Sequence, residues 1–325
     1  MAMGRPRRCV IVLACLAGAF LWLNADAQER RAVVIGTGAP GGVYHPLGAA
    51  LCRMINLDAA ASYRCLAETS RGSLANIAAL QQRKIDFAIV QSDVEEAATG
   101  GTAAFAGSGP IKTLRVVLTL HPEAFTVVAR AGSGIASFAD LRGKRVSIGD
   151  VGSGQRMTAE ALLAAFGWTR KDFSAAELGP VEQDAALCAG RLDAIFYFVG
   201  HPNGLIQDVT ARCHAHLVAL EGAPVETLLK AEPYLHRLVV PGGLYEGNDR
   251  DTPTFGARAV LLTRADVPDA EVGALVKAVI DHFDVFRLLL PVLAGMTPAD
   301  FVPTGLATPL HAGAKSALHE LGLVQ

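Results

Sequence analysis

Apolar residues in this chain fall into short continuous runs, separated by stretches in which they recur every three or four positions. Ala32–Ile35, Tyr63–Leu66, Asp86–Val90, Leu114–Leu120, Phe125–Ala129, Lys144–Ile148, Ala194–Tyr197, His216–Leu220 and Gly256–Thr263 read as strands. Unbroken runs of this kind suit strands covered on both faces, as in a parallel sheet. Between them, Leu47, Leu51, Met54 and Ile55 predict a helix over 46–56, and Leu74, Ile77 and Leu80 predict a second. Met157, Ala161, Leu162 and Phe166 predict a helix over Gln155–Phe166, with others near 203–212 and, as a long terminal helix, over Ala270–Leu290. Residues 97–110, rich in Ala, Gly, Thr and Ser, read as a surface loop, and His121-Pro122 as a break between two strands.

Strand and helix therefore alternate through both halves, which predicts an α/β fold. The expected form is two lobes, each with a mostly parallel sheet, and a cleft and hinge between them. Residues 1–27 are set apart, 28–127 and 256–325 form the first lobe, and 128–255 form the second. The crossings near Glu123–Val127 and Pro253–Arg258 are the expected hinge. An internal echo supports two similar lobes: Leu80–Val90 and Ala186–Tyr197 both read as helix, basic turn, aspartate and buried strand. Asp86 and Asp193 are accordingly read as structural turn residues.

Two turns carry the chemistry. Ile35-Gly-Thr-Gly-Ala-Pro-Gly-Gly-Val-Tyr-His45 and Ile148-Gly-Asp-Val-Gly-Ser-Gly-Gln155 each lead from an apolar run into a helix through several glycines. Such turns expose N–H groups at a helix N-terminus, where the dipole favours an anion. Ligands in α/β sheets bind beyond the carboxyl ends of strands, which selects 36–45, 69–76, 91–93, 150–156 and 197–203. The candidate ligand-binding residues are Thr37, Gly38, Tyr44, His45, Ser73, Asn76, Gln91, Ser92, Ser153, Gly154, Gln155, Tyr197 and Gly200. Ser153 is expected to offer a hydroxyl, and Gly154 and Gln155 their N–H groups, to a ligand carboxylate. Gly36-x-Gly38-x-x-Gly41 alone is a weak dinucleotide signal, and Pro40, Gly42 and the lack of a well-placed acid argue against it. Val151-Gly-Ser-Gly-Gln155 does not fit the Gly-x-Ser-x-Gly of hydrolases. No enzyme activity, cofactor or metal site is expected.

Composition adds an address. Arg5, Arg7 and Arg8 precede an apolar run from Cys9 to Leu23, and Ala25-Asp-Ala27 has the small-x-small form of a signal-peptide cleavage site. Export to the periplasm, with cleavage near Ala27, is expected. The chain of 325 residues has 29 Lys+Arg against 31 Asp+Glu, and losing three arginines and one aspartate makes it more acidic still, which excludes a nucleic-acid partner. Four cysteines remain after cleavage. An oxidising compartment favours disulfides, paired in sequence order as Cys52–Cys65 and Cys188–Cys213, with four free thiols as the alternative.

Taken together, Ile35-Gly-Thr-Gly with Gly-x-Tyr-x-Pro, Ser73-x-x-Asn76, Asp86-x-Ala-x-Val-Gln-Ser-Asp93, Leu141-x-Gly-Lys-x-Val-Ser-x-Gly, Gly152-Ser-Gly154 and Thr263-Arg-Ala-Asp266 resemble the TAXI family of solute receptors, from about Arg31 to the C-terminus. The resemblance implies a type II periplasmic-binding-protein fold and capture of glutamate, glutamine or a related dicarboxylate by hinge closure. It also implies delivery to the membrane subunits of a TRAP transporter. An ABC-type solute-binding protein of similar fold is the alternative, and a secreted hydrolase a more distant one. Ala39-Pro40, His45 and Gln155-Arg156 depart from the family's usual residues, and Arg156 reads either as a cation for a second carboxylate or as solvent-facing.

Overall fold

The computed structural model describes residues 31–57 and 63–325; the expected signal peptide lies outside them. The strands β1 (Arg31–Gly36), β2 (Tyr63–Glu68), β3 (Phe87–Gln91), β4 (Leu114–Ala129), β5 (Arg145–Ser147), β6 (Ser174–Ala176), β7 (Ala194–Val199), β8 (His216–Val218), β9 (His236–Val240) and β10 (Thr252–Arg264) join one sheet. Its order is β2-β1-β3-β10-β4-β7-β5-β6, with β8 beside β4 and β9 beside β10. β1 with β3, and β5 with both β6 and β7, pair in parallel, whereas β4 and β10 pair antiparallel with every strand beside them, an isolated parallel bridge from Val116 to Leu310 aside. The expected parallel character thus belongs to the two ends, and the two long strands join them into a mixed sheet.

These two strands divide the molecule. The segment Leu114–Thr119 of β4 pairs β10, while Ala124–Ala129 pairs β7; likewise Ala259–Thr263 of β10 pairs β3 and Thr252–Gly256 pairs β9. His121-Pro122 was expected to separate two strands, but β4 runs through it. Pro122 faces Arg258 beside a register shift, the irregular kind of position at which a sheet tolerates proline. Close by, a side chain on Gly256 would lie 1.8 Å from the Glu123 carbonyl, so only glycine fits where the strands cross.

Apolar side chains segregate accordingly. Leu47, Leu51, Met54, Phe87, Phe286 and Phe301 pack on one face of the first end, and Ile77, Leu80, Val90 and Val260 on the other. At the second end Phe125, Phe196, Phe255 and Leu162 fill one face, and Ile195, Ile206 and Val209 the other. Asp86 and Asp193 brace equivalent positions, as the echo implied. Asp86 accepts the Val34 N–H at 2.9 Å. Asp193 accepts the Arg145 N–H at 3.0 Å and its guanidinium at 2.7 and 2.9 Å, and these bonds hold its carboxyl well below the usual range. Both expected disulfides are formed, with Cα–Cα distances of 4.9 Å for Cys52–Cys65 and 5.2 Å for Cys188–Cys213.

Three local expectations change. The loop expected at 97–110 is largely the helix α3 (Ser92–Gly100), closed by Gly101 in the left-handed conformation, and a short 3-10 turn at Ala103–Phe105. Ala270–Leu290 is broken at His282 into Asp269–Asp281 and Phe283–Leu288, and the last helix is instead Ala312–Glu320. The helix Ala223–Ala231, which buries Val225 and Leu228, and the strand β9 were not anticipated.

Candidate functional site

The helices α1 (Tyr44–Asn56), α2 (Ser73–Gln81), α3, α4 (Gly154–Ala165), α5 (Pro180–Cys188) and α6 (Gly204–Cys213) each follow a strand or a turn. Their N-terminal residues surround one cavity of about 90 Å³: Tyr44 of α1, Ser73 of α2, Gln91 before α3, Ser153, Gly154 and Gln155 of α4, Pro180 of α5 and Asn203 before α6. Gly38, Arg71, Glu123, Asp150, Tyr197 and Phe198 complete much of the wall. Each helix start presents partial positive charge to the cavity, and Glu123 and Asp150 stand in its wall beside Arg71.

At the second glycine turn, Ser153 caps α4. Its hydroxyl oxygen accepts the Arg156 N–H at 3.2 Å and its proton goes to the Asp150 carbonyl at 2.7 Å. That hydroxyl, expected as a ligand donor, is here engaged by the turn. The N–H groups of Gly154 and Gln155 have no acceptor among the described residues. The side chain of Gln155 donates to the Phe196 carbonyl at 2.7 Å. Gly154 has no room for a side chain, since a Cβ would lie 2.0 Å from Gln91 Oε1 and 2.9 Å from Ser73 Oγ.

Across the cavity, the Ser73 hydroxyl oxygen accepts the Gln91 N–H at 3.1 Å. The side-chain amide of Gln91 donates to Asp93 at 3.3 Å and to Thr158 at 3.4 Å, and the Thr158 hydroxyl donates to Asp93 at 2.6 Å. Burial, partly offset by these donors, raises the Asp93 carboxyl to about 6. The Ala75 N–H reaches the Gly152 carbonyl at 3.2 Å, and Arg71 stands 3.9 Å from Asp150. These bonds tie the start of α2 and the end of β3 to the second glycine turn and α4.

The floor is acidic. The Tyr44 hydroxyl donates to Glu123 at 2.7 Å, and His121 lies 3.7 Å from the other carboxylate oxygen, with all three side chains buried. Burial first, then the neighbouring Glu123 charge, holds the Tyr44 phenol well above its ordinary range. Tyr197 donates in the same way to Asp184, a carboxyl raised to about 7 by burial.

Of the residues expected to bind ligand, Gly38, Tyr44, Ser73, Gln91, Ser153, Gly154, Gln155 and Tyr197 line this cavity, and Thr37, His45, Asn76, Ser92 and Gly200 do not. The N–H and hydroxyl of Thr37 both go to the Glu68 carbonyl, at 2.9 and 2.5 Å. The Asn76 amide bridges the Thr37 and Ile89 carbonyls at 2.6 and 2.8 Å, tying β1 to β3. His45 approaches only the Thr37 hydroxyl, at 3.4 Å, Gly200 packs on His121 and Val292, and Ser92 opens into another cavity. Arg156 pairs with Glu160 at 3.2 Å and Glu177 at 2.9 Å and does not line the cavity. Arg71, Asp150 and Asn203 lie in segments selected at strand ends but were not singled out, and Glu123 was placed only at the expected hinge; an acid standing between the two apolar runs of β4 was the available signal for its place in the cavity.

A family model described as the NMT1-like family matches residues 35–322. The chain belongs to the NMT1-like family. Among solved structures, a protein of Bordetella bronchiseptica RB50 is similar at 15% identity over 91% of this chain and 99% of its own, with a TM-score of 0.56. A structure titled as that of a periplasmic transporter is similar at 16% identity over 91% and 94%, with a TM-score of 0.55. The alkanesulfonate-binding protein SsuA from Xanthomonas axonopodis pv. citri, solved with bound MOPS, gives 18% identity, 90% and 91% coverage and a TM-score of 0.49. The shared feature is the α/β fold of periplasmic binding proteins. No helix among the described residues of this NMT1-like chain is long and apolar enough to cross a membrane.

Proposed function

We propose that the protein is an extracytoplasmic solute-binding protein, without catalysis, that closes over a small organic anion and delivers it to a membrane transporter. The observation that carries this reading is the convergence of six helix N-termini on one cavity, two of whose N–H groups, those of Gly154 and Gln155, have no acceptor among the described residues. Arg71 adds a full positive charge at the rim. The ligand's anionic end belongs here. Its other end meets Glu123, whose carboxylate would repel a second acid group but accept a hydrogen bond from an amine. Glu123 already accepts the Tyr44 hydroxyl at 2.7 Å, and an amine adds a second donor where another carboxylate would add only repulsion, so an amino acid such as glutamine suits both ends better than a plain dicarboxylate. Closure would bend the chain at the crossings near Glu123–Val127 and Pro253–Arg258, with the two lobes divided as the sequence suggests.

The family match favours an ABC-type transporter as the partner, over the TRAP permease that the motif resemblance implies. Copurification with either set of membrane subunits, expressed together with this chain, discriminates between them. The ligand reading is tested by a thermal-shift screen of amino acids, dicarboxylates, sugars and polyamines. A ligand at 100 times its dissociation constant adds about 2.7 kcal/mol of stability. Amino acids are expected to register, and Arg71→Ala should weaken the best of them roughly tenfold, about 1.4 kcal/mol. A response confined to sugars or polyamines would sink the proposal.

A further inference from the structure

Gln91 and Ser92 are adjacent at the end of β3, and their side chains enter different cavities. Gln91 lines the cleft described above; Ser92 lines a second cavity of about 210 Å³ at the strand crossing. This second cavity is built from Arg258 of β10, Thr119 of β4, residues 299–306, and Tyr234 and His236 near the start of β9.

Arg258 dominates its charge. One guanidinium nitrogen donates to the Leu120 and Asp300 carbonyls at 2.7 and 2.9 Å, while Nε is buried without an acceptor. No carboxylate among the described residues lies within ion-pair distance of it. The nearest acid, Asp300, lines the cavity but directs its carboxylate to the Thr297 N–H and hydroxyl, at 2.7 and 2.8 Å. Thr119 and Tyr234 commit their hydroxyls to Val302 and Glu96. The oxygen of Ser92 accepts the Arg258 N–H at 3.2 Å, which leaves its own proton without an acceptor among the described residues. Arg258 is half-buried and its one acidic influence, Asp300, is too far for an ion pair. A cation drawn part-way out of water with so little counter-charge is costly, and a matching anion offsets that cost.

We infer that this cavity is a second binding site, for a small oxyanion held by the Arg258 guanidinium, with hydroxyl donors from Ser92 and Thr304 and with His236 at the rim. The site stands apart from the cleft and does not depend on what the cleft binds. Its walls come from residues on both sides of the strand crossing, so an anion there ties the two ends of the sheet together.

Calorimetric titration of the mature chain with inorganic phosphate at low ionic strength tests it, in an Arg71→Ala background that weakens any competing site in the cleft. One saturable site is expected, weakened at least tenfold by Arg258→Gln and kept within about fivefold by Arg258→Lys, which retains the charge. Should Arg258→Gln fail to fold, Ser92→Ala and His236→Ala carry the test, each expected to weaken binding about threefold. Absence of saturable binding in the Arg71→Ala background overturns the inference, as does phosphate binding indifferent to Arg258→Gln or to both smaller substitutions.

Discussion

The two glycine turns look alike in sequence and do different work. At the first, the N–H and hydroxyl of Thr37 close on the Glu68 carbonyl and Asn76 clasps the Thr37 carbonyl, so its polar groups hold β1 to its neighbours. At the second, Ser153 satisfies the turn and the cap with one hydroxyl, and the N–H groups of Gly154 and Gln155 remain available at the cavity. Glycine spacing therefore marks where a strand turns sharply into a helix; which N–H groups stay open depends on the residues beside the glycines.

The sharpest way to break this comparison is to place a methyl group in each turn. Gly154→Ala puts a carbon against the buried Gln91 amide, whereas Gly42→Ala meets nothing nearer than the Ala39 carbonyl at 3.4 Å. The first should weaken the best ligand about 100-fold, roughly 2.7 kcal/mol, and the second no more than about threefold, both by calorimetric titration. Equal losses would erase the distinction. Thr37→Val is expected to cost about 2 kcal/mol of stability in urea unfolding, from a buried hydrogen bond lost at 0% exposure, with affinity unchanged. A fall in affinity to match would return Thr37 to the binding site.

Titration separates fold from cleft in another way. Burial lifts the carboxyls of Glu95 and Asp184 to about 7, and neither lines the cavity. Their folded values lie above their unfolded ones, so the folded chain holds more protons and stability falls as pH rises through 7. His201, lowered to about 4 by burial, acts in the opposite direction only below its ordinary value of 6.5. Between pH 6.5 and 8 the empty protein should lose about 1–2 kcal/mol of unfolding free energy, and a rise over that window would contradict the burial of these acids. The smallest expected effect is Ser153→Ala, about 1 kcal/mol of stability from a lost helix cap with little change in affinity. A tenfold loss of binding would restore the hydroxyl as a ligand donor.

Most of the strands and the helices of the first end were legible because buried runs and helical spacing are direct imprints of packing. The helix α3 was not, since its Ala, Thr and Gly residues carry little periodicity; Asp93 and Glu95 in its first turn, facing the helix dipole, were the readable sign. The cavity was legible where it rests on helix starts, as at Ser73, Gln91 and Gly154. At Thr37 and Asn76 the expected ligand groups bond strand ends and lie outside the cavity wall, because the groups that can orient a ligand are also those that join strands. Arg71 lies in a selected segment, but nothing local singles it out, and Glu123 sits inside a strand; only the folded chain brings the two to one wall.

The two disulfides have a consequence for the order of assembly. Each joins cysteines close in sequence, separated by 13 and 25 residues, and each lies within one apolar cluster. On the proposed export route the N-terminal pair emerges together, long before Cys188. An oxidant waiting at the exit therefore meets two thiols at a time, and the correct partner is always the one most recently delivered. On that route cross-pairing is suppressed by timing as well as by structure, and the first pair can lock before the second has left the cytoplasm.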